Sequence, residues 1–109
     1  MLIKGLRDGN MAEEKSPMGI VKTKIPLYNS GFNESGHILL CENGICLRTE
    51  EESVKVPYSY VQSIDRIKDL PLAKVLVGIS LYDQIGAKVN VEVGMADMHY
   101  NELKRVCGK

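Results

Sequence analysis

Few side chains in this sequence are placed to do chemistry, and the two best placed are thiols. Cys41 and Cys46 flank Glu42-Asn43-Gly44 within residues 37–49, between two short apolar runs. Asn-Gly between β-like runs favours the two positive-φ residues of a type I′ turn, so the segment reads as a tight hairpin with Asn43 and Gly44 at its tip. In that register Cys41 faces Cys46, Leu40 faces Leu47 and Ile38 faces Thr49. The two cysteines then occupy the first non-hydrogen-bonded pair beside the turn, where side chains approach most closely. Cys41 and Cys46 are therefore a candidate redox pair. A bond between them would close so short a loop that it would stabilise the fold by only about 2 kcal/mol, and a reducing compartment favours two thiols.

The remaining reactive residues argue against catalysis. Cys107 leaves an odd number of cysteines with no Cys-x-x-Cys spacing, so neither a disulfide framework nor a zinc ribbon is signalled. His37 stands four residues from Cys41, about 13 Å along a strand, too far to share a metal. His37 and His99 are the only histidines, and neither stands in a motif with a nucleophile. Glu50, Glu51 and Glu52 are consecutive on a turn and fan out, which suits a solvated charge run better than an acid–base pair. No Gly-x-Gly-x-x-Gly or phosphate-binding loop occurs. No enzyme activity, cofactor or metal is expected.

Composition narrows the partners. Lys plus Arg and Asp plus Glu number 14 each in 109 residues, so no bulk field draws the chain to nucleic acid. Tyr28, Phe32, Tyr58, Tyr60, Tyr82 and Tyr100 are scattered without basic interleaving, which also disfavours stacking on single strands. No apolar run is long enough for a membrane span, and the amino end breaks too soon for a signal-peptide core, so a cytoplasmic location is expected. The length suits one domain with one core.

The elements that must position these residues follow from periodicity. Residues 1–19 carry scattered glycines and charges with no sustained period and read as a flexible arm, leaving 20–109 as the domain. From Ile20 the period is two: Val21, Thr23, Ile25 and Leu27 share a face, while Lys22 and Lys24 share the other with Pro26, which suggests an edge or an end. The hairpin follows, then a short strand through Val54 and Val56 that Pro57 ends. Residues 61–67 are strand-like, with Ile64 and Ile67 out of phase as in a bulge. Val75, Val77, Ile79 and Leu81 alternate cleanly, and Val89, Val91 and Val93 return on the same face. Finally Ala96, Tyr100, Leu103, Val106 and Cys107 recur at helical spacing, with Asp97 as N-cap and Gly108 beyond the last turn. Ile38, Leu40, Leu47, Val77, Ile79, Val91 and Leu103 are the expected core.

Seven antiparallel strands followed by one helix resemble the pleckstrin-homology (PH) superfold, GRAM-type domains included. The carriers are Gly36-His-Ile-Leu-Leu-Cys-Glu-Asn-Gly-Ile-Cys-Leu-Arg48, Val54-Lys-Val-Pro-Tyr-Ser-Tyr-Val-Gln-Ser-Ile64, the long hairpin and the final helix. The resemblance implies a mainly β, seven-stranded antiparallel barrel of two near-orthogonal sheets, capped by the carboxyl-terminal helix. The Gly36-x-Ile38-x-Leu40 passage and the later Pro57 are also similar to the amino-terminal domain of the archaeal taxis adaptor CheF, which implies binding to the response regulator CheY and the archaellum motor without catalysis.

A non-enzymatic adaptor that binds a protein or peptide partner is thus the first expectation. PH-like folds take peptides by strand addition between the last helix and an exposed strand, and residues 54–60 and 20–27 are the candidate edges. The alternative is a membrane-recruitment module for anionic lipid or phosphoinositide. There Lys22 and Lys24 would be the anion contacts, although the phosphoinositide pattern of the PH family is incomplete because Glu34 and His37 stand where further cations belong.

Overall fold

The alternating apolar runs become strands. The computed structural model describes residues 15–16, 18–29 and 33–109. In order these are β1 (Lys15–Ser16), β2 (Gly19–Tyr28), β3 (Glu34–Cys41), β4 (Gly44–Arg48), β5 (Ser53–Pro57), a 3-10 turn (Tyr58–Tyr60), β6 (Val61–Leu70), β7 (Lys74–Tyr82), β8 (Lys88–Ala96) and helix α1 (Asp97–Cys107). The fold is mainly β and antiparallel. Pairing follows β5-β4-β3-β2-β8-β7-β6, with β1 attached to the start of β2, so the path is open and β5 and β6 are its ends. Most of the expected amino-terminal arm, residues 1–14 and 17, lies outside the described residues. Its far end is in the sheet instead, for Lys15 pairs with Ile20 and Ser16 with Gly19.

The core forms where the alternation places it. Ile25 and Leu27 of β2, Ile38 and Leu40 of β3, and Ile45 and Leu47 of β4 join Val75, Val77, Ile79 and Leu81 of β7 in one buried cluster, with Val91 packed partly buried against it. Tyr100 and Leu103 close it from the helix.

The hairpin register differs from expectation. Leu40 pairs with Ile45, Leu39 with Cys46, Ile38 with Leu47 and His37 with Arg48, so Glu42 and Asn43 form the turn, and the pairing slips by two residues. The reason is tertiary. The amides of Glu42 and Asn43 donate to the carbonyls of Ile20 and Met18 at 3.0 and 2.9 Å, and the Glu42 carboxylate accepts from the Ile20 amide at 3.1 Å. These bonds clamp the tip to the start of β2 and override the local preference of Asn-Gly, whose residues have no positive φ. Gly44 serves a different need: a Cβ there would lie 2.3 Å from the Val56 carbonyl oxygen and 2.7 Å from Met18 Sδ.

β6 carries the expected irregularity twice. Its pairing with β7 shifts between Val61 and Ser63 and again between Arg66 and Lys68, so Ile67 is an extra residue, and it is exposed. The turn after β6 puts Leu72 and Ala73 at φ 62° and 58°, the left-handed region that costs side-chain-bearing residues roughly 1 kcal/mol each.

α1 begins directly where β8 ends. Ala96, extended at φ −63° and ψ 144°, is the N-cap rather than Asp97, and it makes no side-chain cap bond. Asp97 sits in the first turn, where its charge still suits the helix dipole, and its carboxylate meets Arg66 at 3.2 Å. At the other end Gly108 adopts φ 72°, with Lys104 and Arg105 in the last turn.

Candidate functional site

The thiols come first, because the register separates them. Cys46 stands opposite Leu39, and Cys41 ends β3 beside the turn, so the expected Cys41–Cys46 opposition does not form. Their relation is diagonal rather than directly opposed. No disulfide joins Cys41, Cys46 or Cys107, and the first two are buried. Tyr58 adjoins them: its hydroxyl donates to the Cys41 carbonyl at 2.6 Å. Burial, helped by the negative charge that Cys107 and Cys41 would acquire, pushes the Tyr58 hydroxyl up to about 12. Burial likewise pushes the Cys107 thiol up to about 11, against a small opposing pull from Lys109. A thiol held protonated in this way is a poor nucleophile at neutral pH.

The expected cation pair is also rearranged. Lys22 falls on a bulge of β2, between the Val21–Cys41 and Thr23–Leu40 pairings, and lines a hollow of about 330 Å³ with Glu42, Tyr58, Glu102 and Arg105. Lys24 lies elsewhere in the pattern. The ladder aligns Lys24, Leu39, Cys46 and Lys55 in one row across four strands, and Pro26, His37, Arg48 and Ser53 in the next. Both rows lie on the face away from Ile38 and Leu47. Lys24, Arg48 and Lys55 are exposed there and make no ion pair among the described residues. Sequence reading found Lys24 but missed Arg48 and Lys55, because only the cross-strand register brings three distant residues together.

Of the two expected strand edges, residues 54–60 supply one and residues 20–27 do not. β2 is interior, flanked by β3 on one side and by β1 and β8 on the other, while β5 is an end strand. The other end strand is β6, which reaches α1 through Arg66. Arg66 of β6 bonds Asp69 through Nε at 3.0 Å and Asp97 through a terminal nitrogen, and its guanidinium stands 5.9 Å from the centre of the Tyr100 ring. The bond to Asp69 chiefly raises the Arg66 pKa further. On the opposite flank of α1, Thr23 donates to Glu102 at 3.1 Å.

The histidines are not brought into any such cluster. His37 is on the basic face of β3, whereas His99 is on α1 with a buried Nδ1 that has no hydrogen-bond partner among the described residues. Among those residues no group of three His, Cys, Asp or Glu side chains converges as a metal site, and no helix is long and apolar enough to cross a membrane. No known protein family matches the chain, and no curated protein matches it.

Proposed function

We propose that the chain is a non-enzymatic, cytoplasmic protein-interaction module of PH-like architecture, an adaptor of the kind used in archaeal and prokaryotic taxis signalling. The architecture is supported by the pairing between β2 and β8, which among the described residues thins to the single rung Tyr28–Gly94. That rung divides the long strands into four and three, the division that a barrel of two near-orthogonal sheets requires, with α1 against their shared core. The observation that carries the functional reading is β6: a ten-residue end strand whose Arg66 reaches Asp97 and Tyr100 of α1. An extended partner segment added there would gain main-chain hydrogen bonds from the edge and side-chain selectivity from Arg66, Tyr100 and Asp97. The bulges and charges of β6 discourage it from pairing with its own kind. Titrating a purified CheY-type response regulator, the partner the resemblance implies, into the isotope-labelled chain should shift amides of β6 and α1, and Arg66→Glu should weaken binding about tenfold. Unchanged spectra would remove the taxis reading.

The basic rows favour a second reading, recruitment to an anionic lipid surface through Lys24, Arg48 and Lys55, with Lys22 at the margin. Cosedimentation with phosphatidylserine vesicles should then be strong at low salt and largely lost at physiological salt. Equal recovery with neutral vesicles would sink this reading.

A further inference from the structure

β8 is paired to β7 along its whole length, from Lys88–Tyr82 to Ala96–Lys74. On its other side, among the described residues, one rung exists: Gly94 with Tyr28. β2 leaves the ladder immediately afterwards, because the Asn29 amide turns to the Asn33 carbonyl at 3.0 Å and the Asn29 side chain accepts from the Asn33 amide at 3.1 Å. Residues 88–93 therefore present a strand edge in the slot that a longer β2 would have filled. A row of backbone N–H and C=O groups in this state is a template for another strand.

The slot has walls and a sign. A hollow of about 340 Å³ runs along the edge at Asn90, Val91, Glu92 and Val93, and across it stand Thr49, Glu50, Glu51 and Glu52 with Tyr28, Asn29 and Ser35. Among the described residues no Lys or Arg lines it. On the outer face of the same strand the ladder continues Glu92 through Gly78 to Asp65, adding a further carboxylate. None of Glu50, Glu51, Glu52, Asp65 and Glu92 forms an ion pair among the described residues. A chain with equal numbers of basic and acidic residues has thus concentrated unpaired carboxylates around one open edge.

We infer that this edge of β8 is a second docking site, which takes an extended, lysine- or arginine-bearing segment of a partner protein as an added strand. Backbone bonds to residues 88–93 would supply the alignment. Cationic side chains two residues apart would fall on one side of the added strand and reach the carboxylates of Glu50, Glu51 and Glu52, which sets the preferred partner as an alternation of basic and apolar residues. This site is separate from β6 and does not depend on the identity of the partner bound there.

The probe is a fluorescein-labelled nine-residue peptide alternating Lys and Val, titrated into the full chain by anisotropy and by amide spectra. It should bind, shift the amides of residues 88–93, and slow their hydrogen exchange. An alternating Glu and Val peptide should not bind. The Lys and Val peptide with alternate backbone nitrogens methylated keeps its charge but loses ladder bonds, and should bind at least about tenfold more weakly. Glu51→Lys with Glu52→Lys should also weaken binding about tenfold, and Glu92→Lys repeats that test on the strand itself should the turn variant fold poorly. Arg66→Glu should leave this affinity unchanged. Absence of binding, indifference to N-methylation, or exchange protection on β5 or β6 in place of β8 would each overturn the proposal.

Discussion

Tyr28 and Gly94 form the one rung between β2 and β8 among the described residues, and they do so at very close range. A Cβ on residue 94 would stand 3.0 Å from the Tyr28 carbonyl oxygen and 3.4 Å from Leu70 Cδ1. The first neighbour is backbone and cannot swing aside as a side chain would, so a side chain at residue 94 would push β2 and β8 apart by a few tenths of an ångström. Gly94→Val should cost about 1 to 3 kcal/mol in urea melts, as over-packing of a tight contact does. A neutral result would mean that the crossing has slack.

The hairpin tip offers a paired test. Gly44→Ala drives a methyl group into the Val56 carbonyl and should cost about 1 to 3 kcal/mol. Asn43 is exposed, sits in ordinary backbone space and contributes its amide alone to the clamp with Met18, so Asn43→Ala should change stability by less than about 0.5 kcal/mol. A type I′ turn at Asn-Gly would instead make Asn43 costly to replace.

Strain at the β6–β7 turn should be removable. Leu72 and Ala73 are held at positive φ, and Leu72 is 75% exposed, so little packing is lost with its side chain. Leu72→Gly and Ala73→Gly should each raise stability by up to about 1 kcal/mol. The change is read from the denaturation midpoint at constant m-value.

Alkaline pH should weaken the fold in a defined window. Cys107 rises from 9.0 to about 11 and Tyr58 from 10.0 to about 12 on folding. Each group is protonated in both states below its unfolded pKa. Between the unfolded and folded values only the unfolded chain ionises, so stability is full below pH 9 and falls as pH rises through 11 to 12. Cys107→Ser and Tyr58→Phe should each flatten part of that slope. Alkylation of Cys107 at pH 8 should run roughly 100-fold slower in the native protein than in urea, since two units of pKa remove that fraction of thiolate.

The apolar faces were legible in the sequence because they depend only on a period of two. The actual slip of the hairpin register is also two residues, so Ile38, Leu40, Ile45 and Leu47 stay on one face whichever register holds, and the core emerges correctly. The cysteine pairing was not protected in this way, since it depends on the exact rung. That rung is set by bonds from Met18 and Ile20, residues distant in sequence that no local turn rule contains. The basic rows and the edge of β8 were hidden for the same reason: Lys24, Arg48 and Lys55 come onto one face only through three successive ladders. The Ile67 bulge was legible because it breaks the period itself.

Helix α1 touches both sides of the narrow crossing, with Glu102 holding Thr23 of β2 and the Asp97 amide holding the Ala73 carbonyl at 3.0 Å. It is also the last of these elements to be synthesised. On the ribosome the two β-meanders can each zip through nearest-neighbour hairpins as they emerge, yet the strut that locks one to the other is still inside the tunnel. Their union is therefore postponed until α1 has emerged, and the nascent protein must keep two half-finished meanders from finding other company in the meantime.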